Sequence, residues 1–386
     1  MQNRQLSVAI LAGVLGLASL DSLAGGVTVY EKDGKYVKLG GRIQLQYHYQ
    51  DPDSGSSSDE LFFRRLRPYV EGSLHPDWKG KFQFDFGKAH GSNEVAVKDA
   101  WMQYRGFKGM KVTVGNANFP FSREFLTSSK KQQLVERTFV GDHNYGTPDR
   151  NVGIHLRGHN ADKTLTWGAS LAAADIDPDA SKLDFDTPVN RSDDFNQGWI
   201  FGGRVDFHPF GHLGFSQGDF HRETRATIGL AAFSWNNDDD NNTYTAGGIG
   251  SSATKADVDQ VTGVELSGAL RGAGFSVDVE YNRFSADTVA PGFTGGLYRN
   301  GSTTLRNWAL EGGYLLPGNR LELVAGYQSQ DADNYDTAWT RRSVGVNWFL
   351  EGQDVKLQLS YRQGRNLKGQ RGNDENELFL QAQYVF

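Results

Sequence analysis

The feature that most constrains this chain is an alternation of apolar and polar residues that recurs from residue 35 to the C-terminus. In stretches of roughly ten residues every second position is apolar, and clusters of Gly, Asn, Asp and Pro separate the stretches. In the stretch 38–49, for example, Leu39 and Ile43 share one face and Arg42 lies on the other. A period of two is typical of β-strands with one apolar and one polar face, so the sequence predicts an all-β fold.

The composition agrees with β-structure and excludes a helical membrane protein. The chain has 47 Gly, 24 Phe, 15 Tyr and 8 Trp but only 3 Met. After the first ~25 residues no run approaches the ~20 consecutive apolar residues that a membrane-spanning helix requires. With a net charge of −6, no cysteine and no metal-like spacing among its 9 histidines, the chain is expected to use no cofactor or metal and to bind no nucleic acid.

The N-terminus has the pattern of a secretory signal peptide, which we predict over 1–24. Arg4 precedes an apolar stretch over 6–20, and Ser22 and Ala24 form a small-x-small cleavage pattern before Gly25. The apolar part is too short for a membrane anchor. The mature protein, 25–386, is therefore expected in the cell envelope.

The lengths of the links between the strands distinguish a membrane barrel from a soluble sandwich, which would also alternate. Seven mostly short links alternate with eight mostly long ones, which is typical of an outer-membrane barrel with short periplasmic turns and long external loops. The shorter links are 75–80, 105–109, 158–163, 208–223, 271–274, 316–319 and 350–353, and the longer ones lie near 50–60, 87–94, 116–150, 174–197, 236–258, 285–303, 329–339 and 363–376. The pattern predicts one transmembrane antiparallel β-barrel domain of sixteen strands in the outer membrane of a Gram-negative cell.

The longest link, 116–150, is the predicted constriction of the barrel. Its apolar pieces would attach it to the inner wall, so that it folds into the pore. Its polar segment contains Ser128, Ser129, Lys130 and Lys131, whose hydroxyls and cations could replace the hydration shell of an oxyanion. The alternative is a solvated external loop.

Along a strand, alternate side chains point to opposite faces, and we call the face assigned to each residue its parity. Parity predicts a basic wall inside the first half of the barrel. The inward cations are Arg42, Arg65, Arg67, Lys81, Arg157, Arg204 and Arg225. Arg64 has the opposite parity and is expected at the pore mouth or against a neighbouring subunit. A mostly Arg wall suits phosphate-like groups, because a guanidinium binds them bidentately and keeps its charge.

The same parity predicts an acidic wall opposite. Glu265, Asp278, Glu280, Glu311 and Glu322 face inward on strands ten to thirteen, and Glu71 and Asp85 lie among the arginines. Two opposed walls would set a transverse field across the pore and weaken its preference for anions. The arginines could also be paired with carboxylates.

Several motifs resemble the phosphate-selective porin O and P family. They are Lys38-Leu39-Gly40-Gly41-Arg42, Phe63-Arg64-Arg65, Asp77-Trp78-Lys79 followed by Phe82-Gln83-Phe84-Asp85, Thr127-Ser128-Ser129-Lys130, and more weakly Gly345-Val346-Asn347-Trp348 and the closing Gln383-Tyr384-Val385-Phe386. The resemblance covers the mature chain in pattern, with the informative motifs in the first third. It implies a homotrimer of sixteen-stranded barrels, each narrowed by its third external loop.

The resemblance also implies roles for individual residues. In this family a row of arginines, called the arginine ladder, and a constriction of lysine and serine guide phosphate. Arg42, Arg64 and Arg65 match ladder arginines, and Lys79 matches a lysine of the lumen. Ser128 and Ser129 match the serines of the constriction. Where phosphate-specific members have a lysine before the Ser-Ser-Lys segment, this chain has Phe125. Arg123 is the candidate substitute for that lysine.

Three functions remain open at this stage. The first is a porin for passive diffusion of small hydrophilic solutes with an anion preference that could extend to phosphate. The second is a weakly selective general porin, and the third is a non-pore barrel, enzymatic or structural. Expected partners are permeant anions, outer-membrane lipid and lipopolysaccharide, and the barrel-assembly machinery through the strand that ends at Phe386.

A hydrolase is not expected, although two sequence patterns could mimic one. Gly214-Phe215-Ser216-Gln217-Gly218 fits G-x-S-x-G but lies in a turn. Asp278 and Glu280 share a strand face at a spacing that would suit acid–base chemistry, and lumen polarity explains them equally well.

Overall fold

The computed structural model describes residues 26–87, 95–186, 196–237 and 255–386. The predicted signal peptide, 1–24, lies outside the described residues. No helix within them is long and apolar enough to cross a membrane.

Strands make up most of the described chain. They are β1 (Val27–Lys32), β2 (Lys35–Pro52), β3 (Ser58–His75), β4 (Trp78–Asp85), β5 (Ala96–Tyr104), β6 (Met110–Asn118), β7 (Arg150–His159), β8 (Leu165–Ile176), β9 (Phe185–Asp186), β10 (Gln197–Phe207), β11 (Arg225–Asn237), β12 (Val258–Gly272), β13 (Phe275–Thr288), β14 (Ser302–Leu315), β15 (Leu321–Asp331), β16 (Trp339–Glu351), β17 (Val355–Arg365) and β18 (Glu375–Val385). The helical pieces are one α-helical turn, α1 (Arg123–Leu126), and the 3-10 turns Ser129–Lys131 and Leu367–Gly369.

Sixteen of these strands form a closed antiparallel barrel, as predicted: β2 to β8 and β10 to β18. The last strand closes it by pairing with β2, from Glu375 opposite Pro52 to Val385 opposite Arg42. Strand β1 pairs only with the start of β2, and β9 adds two residues beside the end of β8. Closure leaves no long open edge, so the strand backbone is hydrogen-bonded within the wall.

The predicted alternation of link lengths is also present. The seven links at one end of the barrel are 76–77, 105–109, 160–164, 208–224, 273–274, 316–320 and 352–354. The strands that the chain joins at the other end are separated by the positions 53–57, 86–95, 119–149, 177–196, 238–257, 289–301, 332–338 and 366–374, of which 88–94, 187–195 and 238–254 lie outside the described residues. We call these the turn end and the loop end. The link 208–224 is the one long segment at the turn end.

Strand faces follow the predicted parity over most of the wall. On β13, Val277 and Val279 point outward and are 41% and 46% exposed, while Glu280 and Asn282 point inward and are buried. An apolar exterior suits lipid and a polar interior suits a water-filled lumen.

Two irregularities in the pairing break this parity on the first half of the wall. Arg64 is the extra residue where Gln44 faces Arg65 and Leu45 faces Phe63. Lys98 is the extra residue where Gln83 faces Asp99 and Phe84 faces Val97. A β-bulge brings two consecutive side chains to one face, so Arg64 points into the lumen beside Arg65, rather than toward the mouth or a neighbouring subunit, where parity alone would place it.

The third link, 119–149, lies inside the barrel. Its Phe119 and Phe121 are fully buried and pack with inward residues of β11 and β13, among them Phe233 and Phe284. This apolar cluster occupies the loop end of the half-barrel β8–β14. That half of the interior is therefore filled, and the open space lies on the other side.

Candidate functional site

A cavity of about 1480 Å³ runs along the inside of the barrel between the link 119–149 and the wall formed by β2–β7 and β16–β18. Thirteen Lys and Arg and eight Asp and Glu line it, a formal net charge of +5 with histidines neutral. The whole chain carries −6. The basic residues are therefore concentrated on the surface that water in the lumen contacts.

Eight of the predicted site residues line this cavity. They are Arg42, Arg64, Arg65, Arg67, Lys81, Ser128, Ser129 and Arg157. The structure thus brings together the arginines of β2 and β3, the lysine of β4 and the two serines of the inner loop.

The two serines meet Arg42 at the inner loop. Arg42 donates from Nη1 to Ser129 Oγ at 2.6 Å and to Ser128 Oγ at 3.3 Å. Gln44, two residues along β2, donates to the Ser129 carbonyl at 3.3 Å. Alternate inward residues of one strand thus fix the loop, and the same guanidinium and hydroxyls lie at the cavity surface.

The bulge on β3 separates the roles of two adjacent arginines. Arg64 makes a bidentate pair with Glu136 of the inner loop, with Nε and Nη2 donating at 2.7 and 3.0 Å. Burial by itself would raise the pKa of the Glu136 carboxyl, but Arg64 lowers it to about 2. Arg65 is 4% exposed, donates to Gln44 at 3.0 Å and leaves its Nε without a partner. Arg64 therefore holds the loop, whereas Arg65 is buried against Gln44 of β2.

Most other cations of the wall are paired with carboxylates. Arg67 contacts Asp85 at 2.6 Å, and Lys81 contacts Asp99 at 2.6 Å. Within the described residues, the cavity arginines without a carboxylate inside 4.0 Å are Arg42, Arg65, Arg137, Arg157 and Arg341. These unpaired guanidiniums carry the excess positive charge.

Arg123 does not replace the missing lysine at Phe125. Arg123 lies in α1, is 2% exposed and points away from the cavity, with its Nε 3.3 Å from Asp278. Arg137, further along the loop, lies over the Phe125 ring at 5.2 Å and lines the cavity. A short helical turn rotates Arg123 off the side that an extended backbone would give it, so its predicted pore-lining position was wrong.

Five further predicted residues do not line the cavity. Arg204 is buried against Asp206 and Glu265, at 2.6 and 2.8 Å. Arg225 pairs with Glu223 at the turn end, and Lys79 pairs with Glu71 at 2.8 Å. The other two, Lys130 and Lys131, follow Ser129 in the 3-10 turn and are partly exposed.

Seven cavity cations were missed by the sequence prediction. They are Lys98, Arg137, Arg150, Lys182, Arg341, Arg362 and Lys368. Parity along β17 would have identified Arg362, which makes a bidentate pair with Glu377 at 2.6 and 2.8 Å. Lys98 requires the bulge, and Arg137 and Lys182 lie in links, where parity does not apply.

The predicted acidic side chains point inward, as parity indicates, but the inner loop lies over them. Glu280 accepts from the Glu124 backbone N–H at 2.9 Å, and Glu322 accepts from Gln133 at 2.7 Å. The carboxylates Glu265, Asp278, Glu280, Glu311 and Glu322 do not line the main cavity. The expected transverse field between two open walls is therefore wrong, because the inner loop lies over one of them.

The hydrolase-like patterns have structural roles. Ser216 lies in an irregular turn rather than between a strand and a helix, and its carbonyl accepts from Arg271 at 2.7 Å. Asp278 is paired with Arg271 and Arg123. Among the described residues no group of three or more His, Asp or Glu could hold a metal ion.

Comparison with known proteins supplies independent information. The family model for phosphate-selective porin O and P matches residues 37–386. An uncharacterized protein of Aquifex aeolicus is 30% identical over 122 residues, 27% of this chain and 29% of that protein, so the match spans less than a third of that relative.

Two solved structures share the fold at low identity. An anion-selective porin from Comamonas acidovorans has a TM-score of 0.60 and 14% identity, covering 91% of this chain and 100% of its own. The trimer form of OmpT, an outer membrane protein of Vibrio cholerae, has a TM-score of 0.58 and 15% identity, covering 92% and 100%.

Proposed function

Because the chain belongs to the phosphate-selective porin O and P family and forms an outer-membrane channel, we propose that it passes small hydrophilic solutes with a preference for anions. The observation that carries the proposal is the +5 charge of the cavity in a chain of charge −6. A low-dielectric wall lined by one sign of charge raises the local concentration of the opposite ion.

Phosphate is the candidate permeant that the cavity chemistry supports best. The Arg42 Nη1 lies 3.3 Å from the Ser128 hydroxyl and 2.6 Å from the Ser129 hydroxyl, and the guanidinium of Arg65 lines the same cavity from the next strand. Guanidinium and hydroxyl groups are the donors that replace water around an oxyanion. Phe125 occupies the position where a lysine is expected, and the guanidinium of Arg137 lies over its ring. A phosphate at this point would therefore contact a planar guanidinium instead of a lysine ammonium.

The proposal also covers the processing, the domain organisation and the assembly of the chain. Residues 1–24 would be a cleaved signal peptide and 25–386 a single barrel domain with 116–150 as its constriction loop. The barrel would be inserted by the assembly machinery through its last strand, contact lipid and lipopolysaccharide, and form a homotrimer. The trimer form of the Vibrio cholerae neighbour supports that last point.

A planar lipid bilayer tests the selectivity. The purified protein should give ohmic channels whose reversal potential in a KCl gradient has the sign of chloride selectivity, and added phosphate should reduce the chloride current. A reversal potential of cation sign would refute the anion preference. Chloride selectivity without any effect of phosphate would leave an anion porin that does not prefer phosphate.

A weakly selective general porin is the second candidate, favoured by the ion pairs of the wall. Arg67, Lys81 and Arg362 each lie 2.6 Å from a carboxylate, which reduces the charge that a distant ion experiences. A reversal potential near zero in the same gradient would support this candidate. No conductance at all would favour a structural or enzymatic barrel, although the family and its neighbours suggest a non-enzymatic channel.

A further inference from the structure

The long link at the turn end, 208–224, enters the barrel and meets the inner loop from the opposite side. We propose that this segment, here called the seat, holds the constriction loop over the acidic wall and is thereby a second determinant of selectivity. The inference rests on the proposed anion preference for its effect on selectivity. Its effect on the loop is independent of that preference.

Gln217 is the centre of the seat. It is 3% exposed, its backbone N–H donates to the Lys131 carbonyl at 3.2 Å, and its side-chain oxygen accepts from the Gln133 N–H at 2.8 Å. Its side-chain nitrogen donates to Glu311 of the acidic wall at 2.6 Å. One residue therefore joins the loop, the seat and the wall.

Phe215 forms the second contact of the seat with the loop. The guanidinium of Arg123 lies 5.6 Å from its ring centroid, and that of Arg204 lies 5.7 Å from it. Arg123 also donates to the Gly214 carbonyl at 3.2 Å. An aromatic ring attracts cations near its face through its quadrupole, so the contact of Phe215 with Arg123 helps to keep the α1 end of the loop in place.

The seat is itself anchored to the barrel at several points. Arg271 donates to the Ser216 carbonyl at 2.7 Å, and Asp219 accepts from the Gly274 N–H at 2.8 Å. Arg222 donates to the carbonyls of Leu315 and Leu316, both at 2.8 Å. The seat is therefore tied to two neighbouring turns and presents a fixed surface to the loop.

The seat affects selectivity because the loop that it holds covers the carboxylates of the acidic wall. Five carboxylates lie on this wall, and only some of them are paired with cations. Glu280 and Glu311, for example, have no ion-pair partner among the described residues. A loop that moved away would expose these carboxylates to water in the lumen, where they would attract cations.

The test combines thiol labelling with electrophysiology on the full-length barrel. The chain has no cysteine, so Ala309→Cys would place a single thiol on the acidic wall, where Ala309 is 4% exposed beneath the loop. Labelling by a cationic water-soluble methanethiosulfonate would be compared with and without Phe215→Ala/Gln217→Ala. His221→Ala, at an exposed position of the same link, is the matched control.

The seat variant should label about tenfold faster or more, because loss of buried hydrogen bonds shifts the local opening equilibrium by about that factor. Without the added cysteine, it should also show a larger single-channel conductance and a reversal potential shifted toward cations. The control should match the parent in all three measurements. Each variant is first checked for a folded barrel by circular dichroism and by heat-modifiable migration on gels.

The outcomes separate the two proposals. Equal labelling and conductance in the folded seat variant and the parent would overturn the seat. Faster labelling in a barrel that shows no anion preference would support the seat and refute the proposed selectivity. If the double variant fails to fold, Gln217→Ala alone is tested by the same labelling comparison.

Discussion

Both halves of the barrel interior carry charged side chains at inward positions of their strands. In one half these side chains line an open cavity, and in the other half they are buried under the inner loop. On the wall of β2–β7, Arg42, Arg65 and Arg157 line the open cavity and have no carboxylate partner among the described residues. On the wall of β11–β15, Glu280 and Glu322 are hydrogen-bonded beneath the inner loop. The same parity rule thus places one set of charges in a channel and the other in a packed interface.

The comparison teaches that the position of the loop decides which wall is open to the lumen, and the proposed anion preference depends on that position. A buried carboxylate that accepts hydrogen bonds stabilises the loop, whereas a carboxylate in the lumen would attract cations. Variants that uncover the acidic wall or reverse the basic one should therefore change the channel in the same direction.

The largest effect is expected from Arg204→Ala on the covered wall. Arg204 is buried between Asp206 and Glu265 and donates to the Phe121 carbonyl at 2.5 Å. Removing one partner of a buried ion-pair network typically costs about 3–5 kcal/mol because the remaining charges lose their compensation. Urea unfolding in detergent should show a loss of this size, and Arg225→Ala, at an exposed pair, is the control. Equal losses in both variants would contradict the difference in burial.

Gly313→Val should loosen the loop without changing any charge. A Cβ at Gly313 would lie 2.2 Å from the Gln133 side-chain nitrogen. That amide would have to leave Ser276 and Glu322, each 2.7 Å away, at a cost of about 1–3 kcal/mol for the buried groups. Single-channel current noise should increase. Gly292→Val, where no atom lies within 4 Å of the added Cβ, should leave the noise unchanged.

Arg65→Glu should reverse a charge on the open wall. The permeability ratio of chloride to potassium should fall by about tenfold, which corresponds to about 1.4 kcal/mol in the electrostatic energy of an ion in the pore. Lys130→Glu should have the smaller effect, because Lys130 lies outside the main cavity lining. Reversal potentials in a KCl gradient give both ratios, and a larger effect at Lys130 would place the narrow part of the pore beyond the serines.

The smallest effect is expected from the pH dependence of a contact between two loops. His143 of the inner loop lies 2.5 Å from Asp184 of the next long link. Burial would lower the pKa of the His143 imidazole, but Asp184 raises it to about 9, and the pKa of Asp184 falls to about 2. Because the histidine pKa is raised on folding, its contribution is complete below pH 6.5 and is lost as the pH rises toward 9.

The measurement is the difference in Tm between the parent and His143→Asn across this pH range. His143 is 38% exposed, so solvent screening should keep the contribution at or below about 1 kcal/mol. The difference should be greatest near pH 6 and should disappear above pH 9. A difference that grows with pH would mean that the imidazole is neutral in the folded protein.

The sequence alone determined the barrel. A period of two fixes which side chains point inward, and the alternation of short and long links fixes the strand count and the two ends, because both depend only on neighbours along the chain. The side chains that parity directs inward at Arg42, Arg65, Arg67, Lys81 and Arg157 line the cavity, as do Ser128 and Ser129 of the loop motif.

Only the tertiary structure decided which charges remain open to the lumen. The bulge that turns Arg64 inward arises from pairing between two strands, and the helical turn that directs Arg123 onto Asp278 depends on the packing of the loop. The bond from Gln133 to Glu322 joins residues 189 positions apart. No local pattern encodes such a contact, because it exists only once the closed barrel has brought the loop, the seat and the acidic wall together.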